Sequence, residues 1–405
     1  MEKRVIMAIS DHGTTGISES LRLPLTHWHE QGHEIHQLAL GYNGWGQTLD
    51  KTMCPWWERM MPIYAATSNE ERFGQTCIDR AIAIVKPDII ITAFDVWMIN
   101  YLSQPAKFKL SESVRNAIEH DKRKFKHIAY FPLDGAVSGE YLPIGMDEAI
   151  AGFDIPITYS RFSQNIVRNE TNLHVPFIPI AHDKRHYYPG DKAEAKKSLG
   201  FPVDKFIIGM VGTNQYRKAW GEFFDAVVPL AKKYDDILIL PWTTWDMKIA
   251  GGAEIQDFVW RSGVSHKIIN PRNGLGSMTD EGMGQLYRAL DLCVLTTIGE
   301  GAGLPPIRAR ACGTPALVSA NTSNTEFCAH PIEAIPIAGH YYDPFGSNLE
   351  RYITNVPTLI ERLEKLYLDK KLYESVSKKC AAEMEQYERD NVMPYWDQVL
   401  ERAFA

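Results

Sequence analysis

The chain has 405 residues, 45% of them apolar and 23% charged, with a net charge of −7. That balance excludes a wholly disordered chain and a molecule basic enough overall to bind nucleic acid by charge alone, and the length suggests two domains. No apolar run approaches the ~18 residues of a membrane span. The N-terminal apolar run meets Asp11 too soon for a secretory leader, and six cysteines without a Cys-x-x-Cys fit neither a disulfide framework nor a thiolate zinc site. The expectation is a reduced, cytoplasmic protein.

Short apolar runs alternate with amphipathic stretches, the pattern of α/β units. Lys3–Ser10 reads as a strand, followed by a glycine-containing turn, a helical stretch to Gln31 and a second strand over Glu34–Leu40. Pro24 should kink that helix or delay its start. Arg72–Val85 reads as a helix stopped by Pro87, and Asp88–Ala93, His127–Phe131 and 153–160 as buried strands. The same grammar restarts beyond Pro189. Strands are expected at Lys205–Val211, Asp236–Leu240, Lys267–Ile269 and Leu292–Thr296, with helices after the first, before Leu290 and from Pro305. Leu359–Tyr387 reads as helical, Pro394 as an interruption, and Trp396–Phe404 as a last short helix. The chain thus divides into an N-terminal α/β domain over 1–185 and a C-terminal one over 186–393.

The densest chemistry lies between Asp291 and Phe327. Glu300 is read as ending a strand. Gly301, Ala302 and Gly303 carry almost no side chain, so a ligand could approach their backbone N–H groups closely. Pro305 and Pro306 suit the first turn of a helix. Such a helix start, with exposed donors and the positive end of its dipole, favours a phosphate, and Glu300 beside it can accept hydrogen bonds from sugar hydroxyls. Arg217 and Lys218 stand near another helix start, where cations oppose the dipole unless an anion is bound.

Glu300, Gly301, Gly303, Leu304, Pro305, Ala311, Cys312, Gly313 and Pro315 match the Glu-Gly-x-Gly-Leu-Pro…Ala-Cys-Gly-x-Pro motif of glycosyltransferase family 4, and Glu326 falls where that family has a further Glu. The segments 178–189, 210–220 and 277–294 resemble the family's interdomain segment, diphosphate loop and pre-motif helix and strand. Asn214–Gln215 before Arg217–Lys218, with 37–44 (QLALGYNG), 94–97 (FDVW) and 130–135 (YFPLDG), resembles most a subgroup common in phage and bacterial genomes. The resemblance implies an α/β fold of two facing Rossmann-like domains (GT-B type) with an interdomain cleft, and a last helix over 394–405 that packs back on the first domain. It implies a retaining transferase that moves a sugar from a nucleotide-sugar donor, with no cofactor required. No Asp-x-Asp pair occurs, which argues against the metal-clamped class of glycosyltransferase.

Carried onto this sequence, the resemblance assigns the sugar hydroxyls to Glu300. It assigns the donor diphosphate to Arg217, Lys218 and the amides of Gly301, Ala302, Gly303 and Leu304, with Gly16, Thr213, Arg308 and Glu326 also at the donor. Asp134 would face the acceptor. Residue by residue, Asp134 reads equally as a turn-forming Asp-Gly and as a ligand-facing carboxylate at a strand end. Asp95 and His12 are weaker acceptor-side candidates, each also readable as a plain loop residue. His27, His29, His33 and His36 cluster in sequence, but on elements that do not bring them together, so chance is preferred to a metal. Trp56, Trp57, Trp242 and Trp245 read as core or rim aromatics.

Two positions depart from the family. Arg308 stands where its second Glu holds the ribose, and Thr213 stands where Arg is usual. An Arg accepts no hydrogen bond, so Arg308 either replaces the missing Arg at the phosphates or points elsewhere. The acceptor stays open between a glycan, a small molecule and a modified base of phage DNA, the last with Lys122, Arg123, Lys124 and Lys126 on the DNA phosphates. Two further readings fit the same residues: an epimerase or phosphorylase of related fold, and a non-catalytic nucleotide-sugar binder.

Overall fold

Near-continuous apolar runs such as Ile6–Ile9 and Ile89–Ile91 are covered on both faces, the burial of parallel strands flanked by helices. The computed structural model describes residues 2–11, 16–40, 55–63, 73–119, 124–243, 251–271, 278–344 and 347–404. His12, Lys122, Arg123 and Trp245, and the side chain of Trp57, lie outside the described residues. The chain splits into two units, Met1–Ala181 with Val392–Ala405, and His182–Asn391.

In the first unit β1 (Val5–Asp11), β2 (Glu34–Leu40), β3 (Met60–Ile63), β4 (Ile89–Ala93), β5 (Lys126–Phe131) and β6 (Ile155–Thr158) form one sheet in the order β3-β2-β1-β4-β5-β6. All its pairs are parallel, and the order reverses between β1 and β4, as in a Rossmann fold. The helix Gly16–Glu30 crosses from β1 to β2 with Pro24 inside it, so the proline does not delay its start. Pro24 itself is buried with Leu21, Leu25 and Trp28, and that apolar face outweighs the hydrogen bond proline cannot make.

The C-terminal helix likewise runs unbroken over Arg389–Arg402 with Pro394 inside, against the expected interruption. Val392, Met393, Trp396 and Leu400 bury one face. Trp396 meets Trp28 and Tyr130 edge-on, with centroids 5.8 and 4.8 Å away, and His27 lies 2.9 Å from Asp397.

In the second unit β7 (Phe206–Val211), β8 (Ile237–Trp242), β9 (Leu292–Leu295), β10 (Ala316–Ser319) and β11 (Ala334–Ile335) form a parallel sheet in the order β11-β10-β9-β7-β8. The strand expected at Lys267–Ile269 is reduced to a single bridge between Ile268 and Ile239 at the β8 edge, where a sixth Rossmann strand would lie. The order reverses between β7 and β9. Where one helix was expected over Leu359–Tyr387 there are two, Val356–Leu368 and Lys370–Met384. Asp369 divides them, and its side chain accepts from Leu372 N at 3.0 Å as the cap of the second. An antiparallel pair, β12 (Ile337–Tyr342) and β13 (Glu350–Thr354), stands apart from the main sheet.

Candidate active site

In open parallel sheets ligands bind beyond the carboxyl ends of the strands, where the order reverses. In the second unit the two loops at that point are 212–219 after β7 and 296–303 after β9. They are tied together through the backbone. Ile298 N and Thr297 Oγ1 both donate to Arg217 O at 2.9 Å, and Thr296 Oγ1 donates to Ala219 O at 3.0 Å. Asn214 fixes the first loop from outside: its Nδ2 donates to Ala253 O and its Oδ1 accepts from Ala253 N, each at 2.8 Å. Ala219 turns the chain with φ 49°, and the helix Trp220–Lys233 begins next.

This stitching brings Arg217, Lys218 and Glu300 into one cluster. Arg217 Nη1 lies 2.8 Å from Glu300 Oε1, and Lys218 Nζ lies 2.5 Å from Glu300 Oε2. The Lys218 and Glu300 side chains are 6% and 9% exposed. Burial alone would push the Glu300 carboxyl up; Arg217 and then Lys218 overcome it and hold the carboxyl down at about 2. The Glu300 backbone is held as well. Its N–H donates to Thr322 Oγ1 at 2.9 Å, and its carbonyl accepts from Thr322 and Ser323 at 2.9 and 2.7 Å. The sequence motif gives Thr322 and Ser323 no role. The signal that points to them is the hydroxyl-rich run 319–325 between a strand and Glu326.

The structure corrects two expectations about this loop. Glu300 does not end a strand: β9 stops at Leu295, and Glu300 sits within the following loop. Nor is the helix start an exposed row of donors. The helix spans Leu304–Ala311 behind Gly303 at φ 79°, Pro305 and Pro306 remove two of its free N–H groups, and residues 301–304 are buried. The positive charge at this edge therefore comes chiefly from Arg217 and Lys218.

The remaining candidates divide between the units. In the second unit, Thr213 is half-buried and its carbonyl accepts from Gln215 N at 2.9 Å. Half-buried Arg308 lies over the Tyr187 ring, 4.7 Å from its centroid, and Tyr187 donates to Asp280 at 2.9 Å. Glu326 lies in the short turn Asn324–Phe327. In the first unit, Gly16 opens its helix, Asp95 precedes the helical turn Val96–Ile99 beyond β4, and Asp134 lies beyond β5. Both carboxylates therefore stand at the carboxyl edge of that sheet. Lys124 and Lys126 lie at the amino end of β5, which at ~3.3 Å per residue puts them about 20 Å from Asp134.

The histidines do not converge. His27 reaches Asp397, His36 reaches Glu34, and His33 Nδ1 accepts from Arg4 N. Among the described residues no cluster of three His, Cys, Asp or Glu side chains could hold a metal. Trp56 and Trp242 are buried.

Residues 191–380 match the family model of glycosyl transferases group 1. A lipopolysaccharide core biosynthesis mannosyltransferase of Rhizobium meliloti is 31% identical over 164 residues, 38% of this chain and 43% of that protein. A D-inositol 3-phosphate glycosyltransferase of Stackebrandtia nassauensis is 25% identical over 194 residues, 45% of this chain and 42% of that protein. The chain thus spans about two fifths of the length of these curated relatives. Over nearly the whole of both chains the fold matches sucrose-phosphate synthase of Thermosynechococcus elongatus, with a TM-score of 0.75 at 16% identity over 99% of each. It also matches Anabaena HepE, solved in complex with UDP and glucose, with a TM-score of 0.68 at 13% identity over 98% of this chain and 100% of that one. The match to the group 1 glycosyl transferase model thus falls within the second unit, and the chain has the GT-B fold of two Rossmann-like units.

Proposed function

We propose that this protein is a retaining glycosyltransferase that takes a sugar from a nucleotide-sugar donor bound at the second unit. The observation that carries the reading is the cluster of half-buried Arg217 with buried Lys218 and Glu300 at the strand-order reversal of that unit. Two cations fixed there suit a diphosphate whose negative charge grows as the glycosidic bond breaks, and preorganised charge of this kind is a large term in catalysis. Glu300 supplies an acceptor for sugar hydroxyls. The bound UDP in a protein of the same fold supports a nucleotide as the donor's carrier.

Asp134 and Asp95, at the carboxyl edge of the first unit's sheet, are the acceptor-side carboxylates of this reading. Lys124 and Lys126 sit at the opposite edge, which counts against a DNA acceptor held jointly by them and Asp134. Retention follows the front-face chemistry implied by the family resemblance, in which the leaving diphosphate takes the acceptor proton. Orientation and charge stabilisation are then the protein's contribution. The subgroup this reading favours is the one common in phage and bacterial genomes.

A thermal-shift panel of nucleotide-sugars tests the donor, since a ligand that binds only the folded state raises the melting temperature. Proton NMR of the first product formed reads the anomeric configuration. A panel in which no nucleotide-sugar shifts the transition refutes the reading, and an inverted anomeric centre refutes retention.

A further inference from the structure

Glu300 occupies, with one oxygen each, the two cations that the donor reading gives to the diphosphate. Oε1 takes Arg217 at 2.8 Å and Oε2 takes Lys218 at 2.5 Å. This is not a surface pair of little consequence, because Lys218 and Glu300 are both withdrawn from water. A phosphate cannot reach the same positions while the carboxylate holds them, since two anions would then share one desolvated site.

Resting on the donor reading above, we propose that Glu300 exchanges partners in every turnover. With no donor bound it neutralises Arg217 and Lys218. An arriving diphosphate takes both cations and frees the carboxylate to accept from the sugar hydroxyls. After transfer the carboxylate returns to the cations and displaces the nucleoside diphosphate. Glu300 is therefore a sugar-binding group and also the group that expels the product.

The surroundings suit a side-chain swing with little backbone movement. Thr322 and Ser323 fix the main chain of Glu300, and Arg217 stays aimed through its donation to Gly299 O at 3.3 Å. Gly303 puts no side chain against Glu300, where a Cβ would come into van der Waals contact, 3.5 Å from Glu300 Cγ and 3.4 Å from Asn324 Oδ1.

The test is calorimetric titration of the parent and of Glu300→Gln with UDP, GDP, ADP and inorganic pyrophosphate, followed by stopped-flow release of whichever nucleotide binds. Exchange predicts that the amide, a weaker competitor, lets the nucleoside diphosphate bind about tenfold more tightly, as expected when one charged hydrogen-bond competitor is removed. Release slows by a similar factor while sugar transfer falls. Glu300→Ala provides the same comparison should the glutamine variant fail to fold. Equal or weaker binding in the folded variants overturns the exchange and leaves the donor reading standing. Failure of all four probes to bind parent and variants overturns the donor reading itself.

Discussion

Replacing Lys218 with methionine keeps most of the side-chain volume and removes one buried ammonium from Glu300. The structure sets the size of the effect. Lys218 lies 2.5 Å from the carboxylate and is 6% exposed, whereas Arg217 lies 2.8 Å away and is 31% exposed. Arg217 remains to neutralise Glu300 in the variant, so the cost to stability is that of one charged hydrogen bond, about 1–3 kcal/mol. That corresponds to roughly 2–4 °C of melting temperature per kcal/mol for a unit of this size. Turnover should suffer more, because a charge aimed at the developing diphosphate is lost; removing one such donor typically costs ~3–4 kcal/mol, or a hundred- to thousandfold in kcat. Arg217→Met, closer to solvent, should cost less than Lys218→Met. Nucleoside diphosphate release from the nucleotide-sugar, followed beside a melting curve for each variant, separates the two effects. A folded Lys218→Met protein that turns over like the parent would refute the assignment of the charge cluster to the reaction.

Glu300, held at about 2 when folded against its ordinary 4.5, contributes stability that is complete above pH ~4.5 and is lost as pH falls toward 2. The parent should therefore lose up to ~3 kcal/mol more than Glu300→Gln across that window, read from urea unfolding at stepped pH. Gly252→Ala would place a Cβ 2.2 Å from the carbonyl oxygen of Asn214. Overpacking against backbone should cost about 1–3 kcal/mol and loosen the loop that carries Arg217 and Lys218, visible as a lower melting temperature with reduced turnover. Arg308→Glu, measured by calorimetry, should weaken nucleoside diphosphate binding and be rescued in part by Thr213→Arg if Arg308 serves the phosphates; unchanged or tighter binding would show that Arg308 does not.

The Rossmann grammar is readable because parallel strands buried on both faces leave apolar runs bounded by turn residues, as in Glu34–Leu40, which the structure reproduces residue for residue. Prolines mislead where a buried face decides the outcome, at Pro394 most plainly, since periodicity does not weigh packing against one missing hydrogen bond. The β12–β13 pair leaves no clear sequence signal because no residue of β12 is buried and its run of Ile, Ala, Gly, His, Tyr and Tyr carries no apolar–polar alternation. Glu300, Arg217 and Lys218 are each legible as charges beside glycine loops or helix starts. Their direct pairing is not, because 82 residues separate Lys218 from Glu300 and only the β7–β9 adjacency joins them. The apparent donor row at 301–304 misleads for a related reason: sequence shows which residues lack side chains, but not that the fold buries them.

The proposed function depends on Arg217 and Lys218 holding the diphosphate of a nucleotide-sugar. The measurement that tests this most directly is nucleoside diphosphate release from a panel of UDP-, GDP- and ADP-sugars by the parent and by the folded double variant Arg217→Met/Lys218→Met. Turnover of at least one donor by the parent, and its loss in the double variant, is the predicted result. Turnover that survives the loss of both cations would contradict it.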